Sequence, residues 1–233
     1  MERIFLVTGT RKGIGRHLAE HFLSQGETVV GCSREESDLC HEHYHHYCLD
    51  VSDEKMVVGM VRDVRKRFNR IDVLLNNAGT ASMNHLLTTP KQTFDRVFEV
   101  NVAGTFLLLR ETAKVMKRHG GGRIVNFSTV AVPLQLEGEA VYAASKAAVE
   151  SLTKVAAREL GEYGIRVNAV GPTPVMTDLV RAVPKDKINR ILQRQAIQRF
   201  GTFEDVANVV NFLVQPESEF VTGQIIYLGG VMS

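Results

Sequence analysis

With 233 residues, 44% of them hydrophobic and 23% charged, the chain is long enough to bury about 70% of its unfolded surface and too balanced to be disordered, collagenous or a disulfide scaffold. A formal net charge of +2 gives no field that would make nucleic acid or an anionic membrane the default partner. Cys32, Cys40 and Cys48 are too few for a disulfide framework, Glu2 and Arg3 lead straight into Ile4 without a secretory leader, and no apolar run approaches the roughly 20 residues of a membrane span. A reducing cytoplasm is the expected setting.

In chain order, β-branched and aliphatic runs recur at Ile4 to Val7, Thr28 to Val30, Val73 to Leu75, Ile124 to Phe127, Ile165 to Val170 and Gln224 to Tyr227. Their near-continuous hydrophobicity predicts buried parallel strands. Between them apolar residues fall at helical spacing, as in Val57, Val61, Val64 and Phe68, or Val149, Leu152, Ala156 and Leu160. Strand alternating with helix predicts an α/β fold: a doubly wound, Rossmann-type parallel sheet of about seven strands with helices on both faces. No repeat or linker divides the chain, so residues 1–233 are expected to form one domain. Residues 176–199 break the rhythm, with helical spacing at Ile188, Ile191 and Leu192 among many charges, and read as a small helical lid.

Directly after the first strand comes Thr8-Gly9-Thr10-Arg11-Lys12-Gly13-Ile14-Gly15, then a helical segment from Arg16 to Ser24. Glycines at such a turn let backbone approach a pyrophosphate, and the helix N-terminus offers it unpaired N–H groups and a positive dipole end. The spacing G-x-x-x-G-x-G differs from the general dinucleotide fingerprint. It does resemble that of the short-chain dehydrogenases/reductases. The resemblance extends over almost the whole chain through Asp50-Val51, Asn76-Asn77-Ala78-Gly79, Asn101, Tyr142-x-x-x-Lys146, Asn168-Ala169-Val170 with Pro172, and Thr222-Gly223-Gln224.

An acid at the end of the second strand commonly binds the ribose of NAD, whereas a nearby arginine accommodates the 2′-phosphate of NADP. Here that place holds Ser33 followed by Arg34, and Lys12 adds a second cation. Charge-assisted bonds from both to a dianionic phosphate predict NADP(H) as the cofactor. The resemblance implies in addition that Asp50 and Val51 hold the adenine, that Asn77 and Gly79 line the adenosine side, and that Val175 and Thr177 contact the nicotinamide amide and the pyrophosphate.

Tyr142 and Lys146 stand four apart at the head of a helical segment, so they share one face. A free phenol with a pKa near 10 is a poor catalyst at neutral pH, but a neighbouring ammonium lowers it. Tyr142 is thus expected to be the general acid of carbonyl reduction and the base of alcohol oxidation. The resemblance implies that Lys146 tunes it and binds the nicotinamide ribose, that Asn101 links a water path to the lysine, and that a hydroxyl about 13 residues before the tyrosine holds the substrate oxygen. That count falls on Thr129, with Ser128 its neighbour; strand alternation predicts that only one of the two points into the cleft unless the chain bends, Thr129 by its spacing, with Ser128 facing the sheet packing on the other side.

Two departures from the family pattern stand out: Thr173 where Gly usually follows Pro172, and Leu228-Gly229-Gly230 where an acid usually precedes the glycines. The run from Cys40 to Cys48, with His41, His43, His45 and His46, has the composition of a zinc site, but it leads into a strand whose alternation splits these residues between two faces, and no metal is expected. The function implied is an NADP-dependent oxidoreductase acting on a ketone or secondary alcohol, closest in type to 3-oxoacyl-thioester (acyl carrier protein) reductases. A catalytically silent NADP-binding sensor is the alternative, against which Tyr142, Lys146 and Asn101 speak. The expected partners are a small carbonyl substrate, anionic or thioester-linked, and further copies of the chain in a homodimer or homotetramer.

Overall fold

Seven strands line up in parallel in the order β3-β2-β1-β4-β5-β6-β7 in the computed structural model, which describes residues 2–181 and 183–231, with the side chains of Leu179 and Lys185 left aside. The strands are β1 (Ile4–Thr8), β2 (Thr28–Ser33), β3 (Tyr44–Cys48), β4 (Val73–Asn76), β5 (Gly122–Phe127), β6 (Ile165–Gly171) and β7 (Ile225–Tyr227). The central ones, β1 and β4, are buried on both faces, which is why they read as unbroken hydrophobic runs. β3 does not: Tyr44-His45-His46-Tyr47-Cys48 lies at the sheet edge and was legible only as the continuation of the histidine run.

Two layers of helices cover the sheet. On one face, α1 (Gly13–Ser24) packs Leu18, Ala19 and Phe22 with Phe5, Val7 and the Val206, Val210 and Leu213 stripe of the late helix Phe203–Val214. On the other, α2 (Glu54–Phe68), α4 (Gly104–Arg118) and α6 (Ala140–Leu160) bury Val57, Val61, Leu108, Met116 and Ala156 against Leu6, Leu74, Ile124 and Val167. The short α3 (Lys91–Phe98) runs into α4 through a π-helical turn, Glu99–Ala103, and α5 (Ala131–Leu134) is a single turn after β5. No helix among the described residues is long and apolar enough to cross a membrane.

Sheet order reverses between β1 and β4, and a doubly wound sheet opens its crevice at that switch, outside the carboxyl ends of the strands. Residues 176–199 carry α7 (Asp178–Arg181) and α8 (Lys185–Gln193), so the helical spacing is realised as two short pieces broken at Pro184. Thr173, the departure from glycine, is buried and has no positive φ, so a side chain is accepted without strain. Its hydroxyl bonds the buried Gln195 side chain, whose amide donates to the carbonyls of Ile197 (2.9 Å) and Arg199 (3.1 Å). The Gly229-Gly230 turn completes this knot, accepting from the N–H groups of Ile197 and Ala196.

Candidate active site

The glycine turn closes tightly on the strand ends. Gly9 (φ +75°) donates its N–H to the Cys32 carbonyl at 2.8 Å, and a Cβ at Gly15 would stand 2.3 Å from the Gly9 carbonyl oxygen. α1 begins at Gly13 (φ +64°), three residues before the helical segment read from the sequence, with no side chain capping its first N–H groups. An open, side-chain-free helix N-terminus at a sheet switch point is what a pyrophosphate needs, so the turn fits a dinucleotide. Ile14 anchors it in the core, while Asn77 ties β4 to β1 by donating to the Thr8 carbonyl at 2.9 Å. Thr177 leans over this turn, its Cγ2 3.4 Å from where a Gly13 Cβ would be, and Val175 beside it is buried and bridges to Gly201.

The cations expected around the cofactor are unequally placed. Lys12 is exposed and paired with Asp178 at 2.6 Å, whereas Arg34 is exposed and makes no ion pair among the described residues. Ser33 donates its hydroxyl to the Glu35 carbonyl at 2.6 Å. Asp50 is engaged on both oxygens, by Ser52 on one and by Arg96 (2.8 Å) on the other; although burial alone would raise its pKa, these bonds hold it at about 2. Val51 packs where a Cβ on Gly104 would be only 2.8 Å away, tying this loop to α4.

At the other end of the crevice the chemistry is buried. The π turn carries Asn101 with no exposure at all. Its Oδ1 accepts the Thr80 N–H (2.8 Å), and its Nδ2 donates to the Thr80 carbonyl (2.9 Å) and to Ser145 Oγ (3.0 Å). Ser145 in turn donates to the Tyr142 carbonyl at 2.7 Å, so the π turn is stitched to the first turns of α6. Lys146 is 5% exposed and donates to the Phe127 carbonyl at 2.7 Å. A Cβ on Gly79 would lie 3.2 Å from Asn101 Oδ1 and 3.4 Å from Lys146 Nζ; both groups converge on the bare side of that glycine. π turns concentrate at functional sites, yet no spacing in Glu99–Ala103 announced this one.

Burial lowers the Lys146 pKa to about 8 and raises the Tyr142 pKa to about 12, with the Thr129 hydroxyl pulling the phenol down and Glu139 pushing it up. The lysine-driven depression expected from sequence is therefore outweighed: Lys146 points its ammonium at Phe127, and burial of the phenol dominates. Thr129 stands beside the phenol, as its spacing suggested. Ser128 does not turn to sheet packing on the opposite face, because regular strand ends at Phe127 and alternation lapses there. Its hydroxyl bonds the buried Glu150, two turns further along α6, which also accepts from Tyr227 Oη at 2.6 Å. Sequence reading missed Glu150; a carboxylate within an otherwise apolar helical stripe was its one signal.

The histidine run is split as alternation requires. His45 meets the Phe68 ring in a tilted contact (5.4 Å) on one face while Tyr44, with His46 bonded to its hydroxyl, lies on the α1 side, and no cluster of three metal-ligating residues occurs among the described residues.

A doubly wound sheet with this turn, a half-buried Tyr142 and a buried Lys146 one helical turn on defines a dinucleotide-dependent oxidoreductase. A family model described as enoyl-(acyl carrier protein) reductase matches residues 9–232, and the chain belongs to the short-chain dehydrogenase/reductase family. It is 35% identical over 242 aligned positions to the 3-oxoacyl-[acyl-carrier-protein] reductase FabG of Staphylococcus aureus, covering 100% of this chain and 98% of that one. Among solved structures it resembles ElxO with NADP bound (31% identity, TM-score 0.90, 98% of this chain and 97% of that one). It also resembles a gluconate 5-dehydrogenase from Burkholderia cenocepacia in complex with NADP and tartrate (28% identity, TM-score 0.91, 99% and 95% covered).

Proposed function

We propose that the protein is an NADP(H)-dependent carbonyl reductase whose substrate is a 3-oxoacyl thioester. The observation that carries the chemistry is the convergence of Tyr142, Thr129, Lys146 and Asn101 at the carboxyl end of β4 and β5, beside a glycine turn that fits a dinucleotide. Gly9, Gly13, Ile14, Gly15 and Thr177 would hold the pyrophosphate, Lys12, Ser33 and Arg34 the 2′-phosphate, and Asp50, Val51, Asn77 and Gly79 the adenosine side. Val175 with the Tyr142 and Lys146 side chains would hold the nicotinamide end.

When bound, the nicotinamide supplies a hydride to the carbonyl carbon. The Thr129 hydroxyl orients the carbonyl oxygen, and the Tyr142 phenol gives that oxygen its proton. Burial keeps Tyr142 protonated at neutral pH, so the residue is loaded for reduction. Lys146, held by Phe127, replaces the proton that Tyr142 gives up, with Asn101 fixing the Thr80 backbone where a water path would reach the ammonium.

The acyl-thioester reading rests on similarity to a 3-oxoacyl-[acyl-carrier-protein] reductase, whereas sugars or sugar acids stand in the names of at least three structural neighbours, an aldohexose dehydrogenase and two gluconate dehydrogenases. Charge on residues 176–199, the proposed lid, helps it less than composition suggests. Arg181, Arg190 and Arg199 pair with Asp178, Asp186 and Asp205, Arg194 donates to the Leu134 carbonyl, and the Lys185 side chain is outside the described ones. Lys187 makes no ion pair among the described residues, and its Nζ lies near Gly138. Burial raises the pKa of the Glu139 carboxyl, and Lys187 is close enough to draw it down. A homodimer or homotetramer, built on the outer faces of residues 95–118 and 142–162, completes the reading; Phe106 and Val155 are exposed there. The test is kcat/KM with NADPH against acetoacetyl-CoA, gluconate-type alcohols and simple ketones. Preference for the thioester supports the reading, and preference for a sugar acid replaces it.

A further inference from the structure

At the adenosine end of the crevice, four side chains from three separate segments are joined by hydrogen bonds that neither fold nor catalysis explains. Thr10, in the glycine turn and fully buried, meets the Tyr44 hydroxyl at 2.8 Å. Tyr44 Oη meets His46 Nδ1 at 2.8 Å, and His46 Nε2 lies 3.1 Å from both Ser33 Oγ and the Glu35 carbonyl oxygen. The meeting point exists because β2 has Gly31 there. A Cβ on that residue would be 2.3 Å from the Tyr44 hydroxyl and 2.5 Å from Thr10 Oγ1.

The proton directions follow from the chemistry of the end members. A carbonyl only accepts, so Nε2 carries the hydrogen and shares it between Glu35 and Ser33. In a neutral ring Nδ1 then accepts from Tyr44, which leaves the phenol oxygen to accept from Thr10. Every member is used, and the loop after β2 is fastened to the phosphate turn through one imidazole. Two ion pairs run alongside, Arg11 to Glu35 (2.6 Å) and Arg16 to Asp38, so these two acids of the loop are answered by cations of the turn and of α1. Arg34, between them, points to solvent.

We propose that His46 is a positioning residue for recognition of the cofactor's adenosine 2′-phosphate: it holds the loop bearing Ser33 and Arg34 in register with the turn bearing Lys12. This rests on the NADP(H) reading above. A cation on a loose loop gives up much of its phosphate binding to the cost of ordering it, and a half-buried imidazole strap bonded at both ring nitrogens removes that cost beforehand. NADH makes no 2′-phosphate contact, so its affinity is independent of the strap.

The test is calorimetric measurement of the dissociation constants of NADPH and NADH, and of 2′-phosphoadenosine 5′-diphosphoribose against ADP-ribose, for the full-length chain and three variants. Wild type binds the 2′-phosphorylated member of each pair more tightly. His46→Leu lowers that ratio about fivefold or more, an effect of one hydrogen bond's size, entirely through weaker binding of the phosphorylated ligand. His46→Gln recovers most of the ratio, because its amide N–H can still reach the Glu35 carbonyl. Tyr44→Phe, which leaves the ring in the core and removes the hydroxyl that joins Thr10 to His46, lowers the ratio in the same sense and decides the matter if His46→Leu does not fold. An unchanged ratio in His46→Leu and Tyr44→Phe, with wild type still preferring NADPH, overturns the role of His46 and leaves the cofactor reading standing. Parallel weakening of both ligands of a pair overturns it too, as general loosening. Wild type that does not prefer the 2′-phosphorylated ligands overturns the cofactor reading and the strap with it.

Discussion

The two ends of the crevice are built on opposite principles. At the chemical end, Asn101, Ser145 and Lys146 are buried and bonded to backbone or to each other at 2.7–3.0 Å. At the phosphate end, Lys12 and Asp178 are more than half exposed and linked by an ion pair of the kind that contributes little and exchanges readily. Proton chemistry needs donors already in place before the substrate arrives, because a preorganised dipole costs no rearrangement at the transition state. Binding a phosphate needs cations that can leave one partner for another, so solvent access there is an advantage.

The buried end breaks hardest. Lys146→Met should abolish turnover, a loss of about 10²–10⁴ as for any group on which general acid–base chemistry depends, while raising the thermal stability of the ligand-free protein by a few degrees. Burial holds the lysine near pKa 8 against about 10.4 in an unfolded chain, a cost of roughly 3 kcal/mol, part of which is returned to the Phe127 carbonyl left without its donor. The sign is specific. The unfolded chain binds this proton more tightly, so wild-type stability should climb from about pH 8 towards pH 10, and the variant should lose that slope. Thermal melts across this range check both statements.

Next in size, Thr129→Val should cost about 10²–10³ in kcat by removing the donor to the substrate oxygen, and Thr129→Ser should restore most of it. Ser128→Ala should behave differently from its neighbour. Glu150 would lose one of its two donors, so denaturant melts should show a loss of about 1–3 kcal/mol, with kcat within a few-fold of wild type. A large kcat loss in Ser128→Ala together with a mild Thr129→Val would exchange their roles.

Smallest is the exposed end. Asp178→Asn frees Lys12 for the cofactor and should tighten NADPH binding by no more than about fivefold, measured by titration at low salt, with the gain fading as ionic strength rises. A gain that persists in high salt would mean that the pair holds the lid closed rather than competing for the lysine.

How much of this was legible follows the same divide. Local patterns were: the unbroken apolar runs of β1 and β4, the Tyr142–Lys146 spacing, and the glycines of the turn, because each expresses a period or a backbone need within a few residues. Contacts between distant segments were not. Nothing near Asp50 announces Arg96, nothing near Thr173 announces Gln195, and Lys12 meets Asp178 across 166 positions. Ser128 was misjudged for a local reason: alternation is a property of strand, and the strand had ended one residue earlier.

The central claim, that a buried phenol delivers the proton while the rest of the crevice holds the reactants, is tested most directly by Tyr142→Phe. Ring volume is kept and only the hydroxyl is lost. NADPH-dependent reduction of acetoacetyl-CoA should fall by about 10²–10⁴, and the NADPH dissociation constant, measured calorimetrically on the same preparation, should stay within about threefold of wild type. Turnover within a few-fold of wild type would show that another group supplies the proton and would contradict the account.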